Sequence, residues 1–200
     1  HQGALGLETC LSTVGIDGST VAQDLTRIGY AGEVSTGDVR ARAFVELHVE
    51  QGPVLEEAGI EIGAVTGVQG ISWTEYTIAG VSNHAGTTPM RLRHDAGYVA
   101  AAIATEARRI ADETGGEQVA TSGVIELEPN LVNVIARRAK VTIDLRNTNE
   151  DTLQRAEARM TQFVDALAQA EGVEVSAGQL ARFAPVDFDP KMVERVAQTA

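Results

Sequence analysis

The pattern of hydrophobic and polar positions changes period several times along the chain, and each change marks an element. Residues 44–50 alternate, with Phe44, Glu46, His48 and Glu50 on one side and Val45, Leu47 and Val49 on the other, which predicts a strand. The alternation stops at Gly52-Pro53, a dipeptide that ends pairing and opens a short helix over 54–58. Upstream, residues 1–18 give only weak signals. Ser19-Thr20 caps a predicted helix over 21–28, Gly29 lies just past its end, and 32–38 is a polar loop. Residues 60–68 read as one strand or two short ones, and Gly67-Val68-Gln69-Gly70 as a hinge or a simple turn.

A second pattern begins at residue 71. Residues 71–79 alternate and carry Trp73, Tyr76 and Ile78, so they form a strand. Asp95 starts a helix to about residue 112, with Val99, Ile103, Ala107 and Ile110 on one face. Strands follow at 118–128 and 139–146, the latter with Val141, Ile143 and Leu145 on one side. Thr148 and Asp151 make a capping-box-like start for a helix through 170, whose stripe of Leu153, Ala156, Met160, Phe163, Val164 and Leu167 is core. A strand at 173–179 completes a β-α-β-β-α-β order, the signature of a ferredoxin-like sandwich. Residues 183–185 form the return linker, and Asp189-Pro190 starts a helix that belongs again to the first domain. The predicted fold is therefore part of a split α/β domain (1–69 and 185–200) carrying an inserted α+β ferredoxin-like domain at 70–184.

Composition narrows the possibilities. With 200 residues, 44% of them hydrophobic, the chain can bury a real core. Its 16 basic and 28 acidic residues give a net charge of −12, which argues against nucleic acid or an anionic membrane as partner. Lys140 and Lys191 are the only lysines. Such a surface suits a salt-adapted protein and an acidic cytosolic enzyme equally. No apolar run approaches the roughly 20 residues that cross a bilayer. The first residues lack the basic segment of a signal peptide, and Cys10, the single cysteine, fits a reducing interior, so the expected location is cytoplasmic. A start without Met and an end inside a helical pattern read as an internal piece of a longer protein.

The candidate chemistry gathers around residue 48. His48 sits toward the carboxyl end of its predicted strand with Gln51 at the following turn, the place where open α/β sheets bind ligands. A lone strand histidine is commonly a satisfied core residue, but Glu46, Glu50 and Gln51 crowd this one with groups that are rarely buried unpaired. His48-Val49-Glu50-Gln51-Gly52-Pro53-Val54-Leu55-Glu56 resembles a hallmark segment of the metal-dependent amidohydrolases of the M20 metallopeptidase group. That branch contains N-carbamoyl-L-amino acid hydrolases, allantoate amidohydrolases and yeast-type β-ureidopropionases. Asn83-His84-Ala85-Gly86-Thr87-Thr88-Pro89-Met90 is a second match at the family's spacing, and most of the chain aligns with the family's middle portion.

The resemblance implies a split catalytic domain whose inserted lid also makes the contact of a homodimer. It implies two divalent metal ions, zinc or manganese with cobalt or nickel as alternatives, and a small ureido or carbamoyl amino acid as substrate. His48 matches one metal ligand; the other ligands and the glutamate general base match segments before and after this chain. Neither His1, His94 in an exposed run, nor Cys10 is a substitute, and Glu50 is expected to orient His48 or support the fold. Gln51 matches a substrate-contacting glutamine, although a turn residue satisfying its own backbone would look the same. His84 matches the residue that stabilises the oxyanion; read alone it is an accessible loop histidine.

Asn133, in Asn133-Val134-Ile135, matches a substrate position, and Arg146 the arginine that holds the substrate carboxylate through its planar fork. Read alone, Arg146 is a strand-end surface residue. The family's Pro-Gly after Asn-Val-Ile is here Ala136-Arg137, which is expected to add positive charge near the pocket. The implied activity is hydrolysis of a linear amide or ureido C–N bond by metal-activated water, with this stretch inactive on its own. An aminoacylase or peptidase of the same group, or a non-catalytic lid and dimerisation fragment, is the alternative.

Overall fold

The structure, a computed structural model, describes residues 5–33, 37 and 41–200. They fall into two compact units, His1–Val54 and Leu55–Ala200. In the first, α1 (Leu7–Ser12) lies within the stretch whose sequence signals were weak, and α2 (Val21–Arg27) follows it. Thr20 caps α2: its side chain accepts from the Gln23 amide at 3.3 Å while Gln23 Oε1 accepts from the Thr20 amide at 2.8 Å, a reciprocal box. Ser19 instead donates to Asp24 at 2.8 Å.

Residues 44–50 correct the prediction, for they have no strand pairing. Alternation describes a chain ready to pair, but a strand exists only beside a neighbour, and no described residue provides one. The polar loop at 32–38 lies mostly outside the described residues. The short α3 (Val54–Ala58) opens after Gly52-Pro53 as expected, with Glu50 Oε1 accepting from the Val54 amide at 3.1 Å.

In the second unit, β1 is only Gly67–Val68, shorter than the strand expected over 60–68. It is followed by β2 (Gly70–Ala79), α4 (Ala96–Thr114), β3 (Val119–Glu128), β4 (Arg138–Asn147), α5 (Glu150–Glu171), β5 (Glu174–Phe183), β6 (Val186–Asp187) and α6 (Pro190–Thr199). The last long strand thus runs through Phe183, four residues beyond the predicted end, because its register with β2 continues to Ile71. The long strands form one antiparallel sheet in the order β3-β4-β2-β5, and β1 and β6 pair separately where the chain enters and leaves it.

Alternation along β4 decides which face is covered. Ala139, Val141, Ile143 and Leu145 are buried, while Lys140, Thr142, Asp144 and Arg146 on the other face are half-exposed. Val99, Ile103, Ala107 and Ile110 of α4 and Leu153, Ala156, Met160 and Val164 of α5 are buried in the same core. Each large aliphatic side chain there contributes about 1.5–3 kcal/mol by leaving water. Tyr76 and Ile78 of β2 join that core, whereas Trp73 points to the open face and stays 39% exposed.

The helix ends are set by side chains. Asp95 accepts from the amides of Gly97 and Tyr98 at 2.9 and 3.1 Å and caps α4, as its position suggested. Asn149, rather than Thr148 with Asp151, caps α5: its Oδ1 accepts from the Thr152 amide at 2.9 Å. Asparagine is among the best caps, and it lies one residue closer to the first helical turn. Glu106, nearly fully buried on α4, ties the helices together by accepting from Arg109 at 2.6 Å and from Arg159 of α5 at 3.0 Å. His94 is half-buried, contrary to its expected exposure. Its Nδ1 lies 2.9 Å from the carbonyl of Glu171, so it docks against the last turn of α5.

Candidate functional site

The loop after β2 carries His84 and is fastened to the loop before β4. The Ala85 amide donates to the Asn133 carbonyl and the Ile135 amide to the Asn83 carbonyl, both at 2.9 Å, and His84 bridges Val134. Two segments 49 positions apart in sequence, at His84 and Asn133, therefore lie side by side, and both residues are exposed. His84 Nδ1 accepts from the amides of Gly86 and Thr87 at 3.1 and 3.2 Å. A backbone amide only donates, so Nδ1 is an acceptor and the neutral ring carries its proton on Nε2. His84 therefore presents a single N–H donor outward from the loop.

The rest of the loop is equally constrained. The Thr88 hydroxyl donates to the His84 carbonyl at 2.7 Å, and Arg93 donates to the carbonyls of Ala85 at 2.6 Å and Thr88 at 3.1 Å. The Ala136-Arg137 departure is absorbed locally. Ala136 is buried and its carbonyl accepts from the Ala96 amide at 3.2 Å, while Arg137 is ion-paired with Glu128. The positive charge expected to project near the pocket is thus matched by a neighbouring carboxylate.

Arg146 occupies the other end of the sheet. It stands opposite Ile71 near the start of β2, whereas the His84 loop follows the end of β2 at Ala79. Eight strand positions of about 3.3 Å separate the two ends, roughly 26 Å. Arg146 grips Asp144 side-on, Nε to both carboxylate oxygens at 3.0 Å and Nη2 to Oδ2 at 2.8 Å. Its guanidinium also lies 5.6 Å from the centre of the Trp73 ring. The hydrogen bonds to Asp144 raise the arginine's pKa against the opposing effect of partial burial, so it is a fixed cation. Its Nη1 edge makes no bond among the described residues and faces away from the Asp144 pair.

His48, Glu50 and Gln51 belong to the first unit. His48 is exposed, with Nε2 3.2 Å from Glu46. Gln51 is the described non-glycine residue with positive φ, 55°, in the turn expected there. No group of three or more His, Cys, Asp or Glu side chains able to hold a metal ion gathers among the described residues. The described donors alone therefore do not fit a metal site. Cys10 has no partner thiol, and His1 lies outside the described residues.

The sequence reading missed Arg93, Asp144 and Trp73. Asp144 had a signal, since residues two apart on a strand share a face and Asp144-Leu145-Arg146 is such a spacing. Trp73 becomes a neighbour only through the β2–β4 register, and Arg93 looked like any charge in an Arg-rich run.

Residues 66–171 match the peptidase dimerisation domain of M20 type, more than half of the chain. The chain belongs to that family. It is 37% identical over 193 residues to an N-carbamoyl-L-amino-acid amidohydrolase of Paenarthrobacter aurescens, covering 94% of this chain and 47% of that protein. It is 35% identical over 184 residues to the N-carbamoyl-L-amino-acid amidohydrolase of Rhizobium meliloti, covering 92% and 44%. Among solved structures, a hydantoinase/carbamoylase-family amidase from Burkholderia multivorans superposes with a TM-score of 0.88 at 38% identity, over 100% of this chain and 48% of that one. The chain thus spans about half the length of the relatives it matches.

Proposed function

We propose that the protein to which this chain belongs is a metal-dependent amidohydrolase. It cleaves a linear amide or ureido C–N bond in an N-carbamoyl-L-amino acid or a related ureido acid such as allantoate. The observation that carries the proposal is His84, fixed as an outward Nε2–H donor beside Asn133. A donor held in place before reaction is what an oxyanion formed at the carbamoyl carbon requires. The names of the relatives, N-carbamoyl-L-amino-acid amidohydrolases and hydantoinase/carbamoylase-family amidases, support the same reaction.

In this reading residues 70–184 form a ferredoxin-like lid and dimerisation domain, supported by the antiparallel order β3-β4-β2-β5, and 1–69 and 185–200 are parts of the catalytic domain. Two divalent ions, zinc or manganese with cobalt or nickel as alternatives, would supply an activated water. His48 is the ligand this chain contributes, and the remaining ligands and the general base come from the rest of the protein. Gln51 and Asn133 contact substrate, and Arg146, oriented by Asp144, binds its carboxylate through the remaining guanidinium edge.

The separation of Arg146 from His84 along β2 exceeds the span of one small ureido acid. Each site therefore takes Arg146 from one subunit and His84 with Asn133 from the other, which makes the homodimer obligatory. Outer strand β3 supports a second copy as partner: one side of its backbone is unpaired among the described residues, and it carries exposed Val119 on the open face and exposed Ile125 and Leu127 on the other. No helix of the described residues is long and apolar enough to cross a membrane, and we place the enzyme in the cytoplasm. The test is turnover of N-carbamoyl-L-amino acids and allantoate by the full-length protein with Mn²⁺, Zn²⁺, Co²⁺ or Ni²⁺, beside N-acetyl amino acids and dipeptides. Release of ammonia or carbamate from the ureido substrates is expected; cleavage of the acetylated or dipeptide substrates alone would contradict it.

A further inference from the structure

We infer that Arg93 is a positioning residue for His84, holding the loop that dictates which ring nitrogen of the histidine carries the proton. Arg93 is half-buried, and among the described residues no carboxylate pairs with it. Its guanidinium is instead spent on two main-chain carbonyls, Ala85 at 2.6 Å and Thr88 at 3.1 Å. These flank the two amides that donate to His84 Nδ1, those of Gly86 and Thr87. An arginine fork that grips two carbonyls three residues apart fixes the peptide planes between them, since each plane is rigid and only φ and ψ can turn. With the planes fixed, both N–H groups converge on Nδ1, and Nε2–H is left as the donor.

The Thr88 hydroxyl closes the turn from the other side through the His84 carbonyl at 2.7 Å. Without Arg93 the loop keeps that bond, the Thr88 amide's bond to the same carbonyl and the Ala85 amide's bond to Asn133, but the carbonyls of Ala85 and Thr88 lose the guanidinium that holds them. The ring is then free to turn and to exchange tautomers, and the donor is no longer presented in one direction. The kinetic part of this inference rests on the proposed hydrolase activity; the tautomer part does not.

The experiment has two arms. In the first, the chain is labelled with ¹⁵N-histidine and the His84 signals are assigned by their loss in His84→Gln. Wild-type protein at pH 8 is expected to show Nδ1 as unprotonated and Nε2 as protonated, and Arg93→Ala to show averaged shifts with Arg93→Lys between the two. A wild-type His84 with its proton on Nδ1 overturns the inference whatever the variants do, and so do identical tautomers in wild type and Arg93→Ala. In the second, steady-state kinetics of the full-length enzyme are expected to show kcat lowered about 10–100-fold in Arg93→Ala with KM and metal content unchanged, and part of the loss recovered in Arg93→Lys. Unchanged kcat overturns the positioning role. Absence of ureido hydrolysis in the wild type counts against the proposed function and leaves the first arm decisive for Arg93.

Discussion

Arg146 and Asp144 form a side-on pair on the open face of the sheet, with three N–H···O contacts between 2.8 and 3.0 Å. Among the described residues the pair leaves one guanidinium edge unbonded, and it fixes where that edge points. An arginine so oriented gives up little freedom when it meets a carboxylate, which suits ground-state binding.

Arg146→Ala in the full-length enzyme is therefore expected to raise KM by an amount equivalent to about 2–5 kcal/mol with a smaller effect on kcat. Asp144→Asn keeps the size of the side chain but loosens the grip on the guanidinium, so a milder increase in KM is expected. Michaelis constants of both variants with one ureido acid check this. A KM in Arg146→Ala equal to that of the wild type would return the residue to a surface role.

Glu106 gives a prediction in pH. Burial pushes its carboxyl up, but hydrogen bonds from Arg109 and Arg159 outweigh it and hold the group below its usual 4.5. A carboxylate whose pKa is depressed by folding stabilises the fold above the unfolded value, and this contribution is lost as pH falls through the folded value. Glu106→Gln is expected to lower stability by about 1–3 kcal/mol at neutral pH. The gap in Tm should narrow as pH drops below 4.5, the unperturbed value for this group. Thermal melts from pH 7 to pH 3 would show it; a gap independent of pH would contradict the ion-pair account.

The end of α5 gives a prediction about stability alone. Gly172 has φ 61° in the left-handed region, and an added Cβ would stand 2.8 Å from the His94 ring. Gly115, past the end of α4, also has positive φ, 65°, but open space around it. Gly172→Ala is expected to cost about 2–3 kcal/mol, from left-handed strain and because His94 must also leave the Glu171 carbonyl. Gly115→Ala, with φ 65° and ψ −163° in a region that suits glycine almost alone, is expected to cost about 1–3 kcal/mol from strain without any contact. A loss of only about 1 kcal/mol in Gly172→Ala, the left-handed strain by itself, would show in denaturant melts that the histidine contact carries nothing.

How much of this was legible in the sequence depended on how local the cause was. The order of helices and strands from 70 to 183 was readable, because the alternation of Val141, Ile143 and Leu145 and the stripe from Leu153 to Val164 are local patterns. The strand expected at 44–50 was not, because strand identity rests on a neighbour and alternation alone does not supply one. His84 and Asn133 were both named in the sequence, and their adjacency follows from backbone bonds between two distant loops. That Arg146 stands at the opposite end of the sheet depends on the antiparallel register of β2 and β4, which no local pattern encodes.

The central claim is that a site combines Arg146 of one subunit with His84 of its partner, and subunit mixing tests it most directly. His84→Ala is expected to lower kcat of the full-length enzyme by roughly 10²–10³-fold, since the oxyanion exists only after water attacks. Arg146→Ala is assayed at a substrate concentration where it too is nearly silent. The two inactive dimers are dissociated, mixed and reassociated. If the residues serve one site from different subunits, each hybrid holds one site with both residues intact, and activity returns to about a quarter of the wild-type level. If both residues reach one site from the same subunit, every site in every hybrid lacks one of them, and activity that stays at the level of the separate variants would contradict the account.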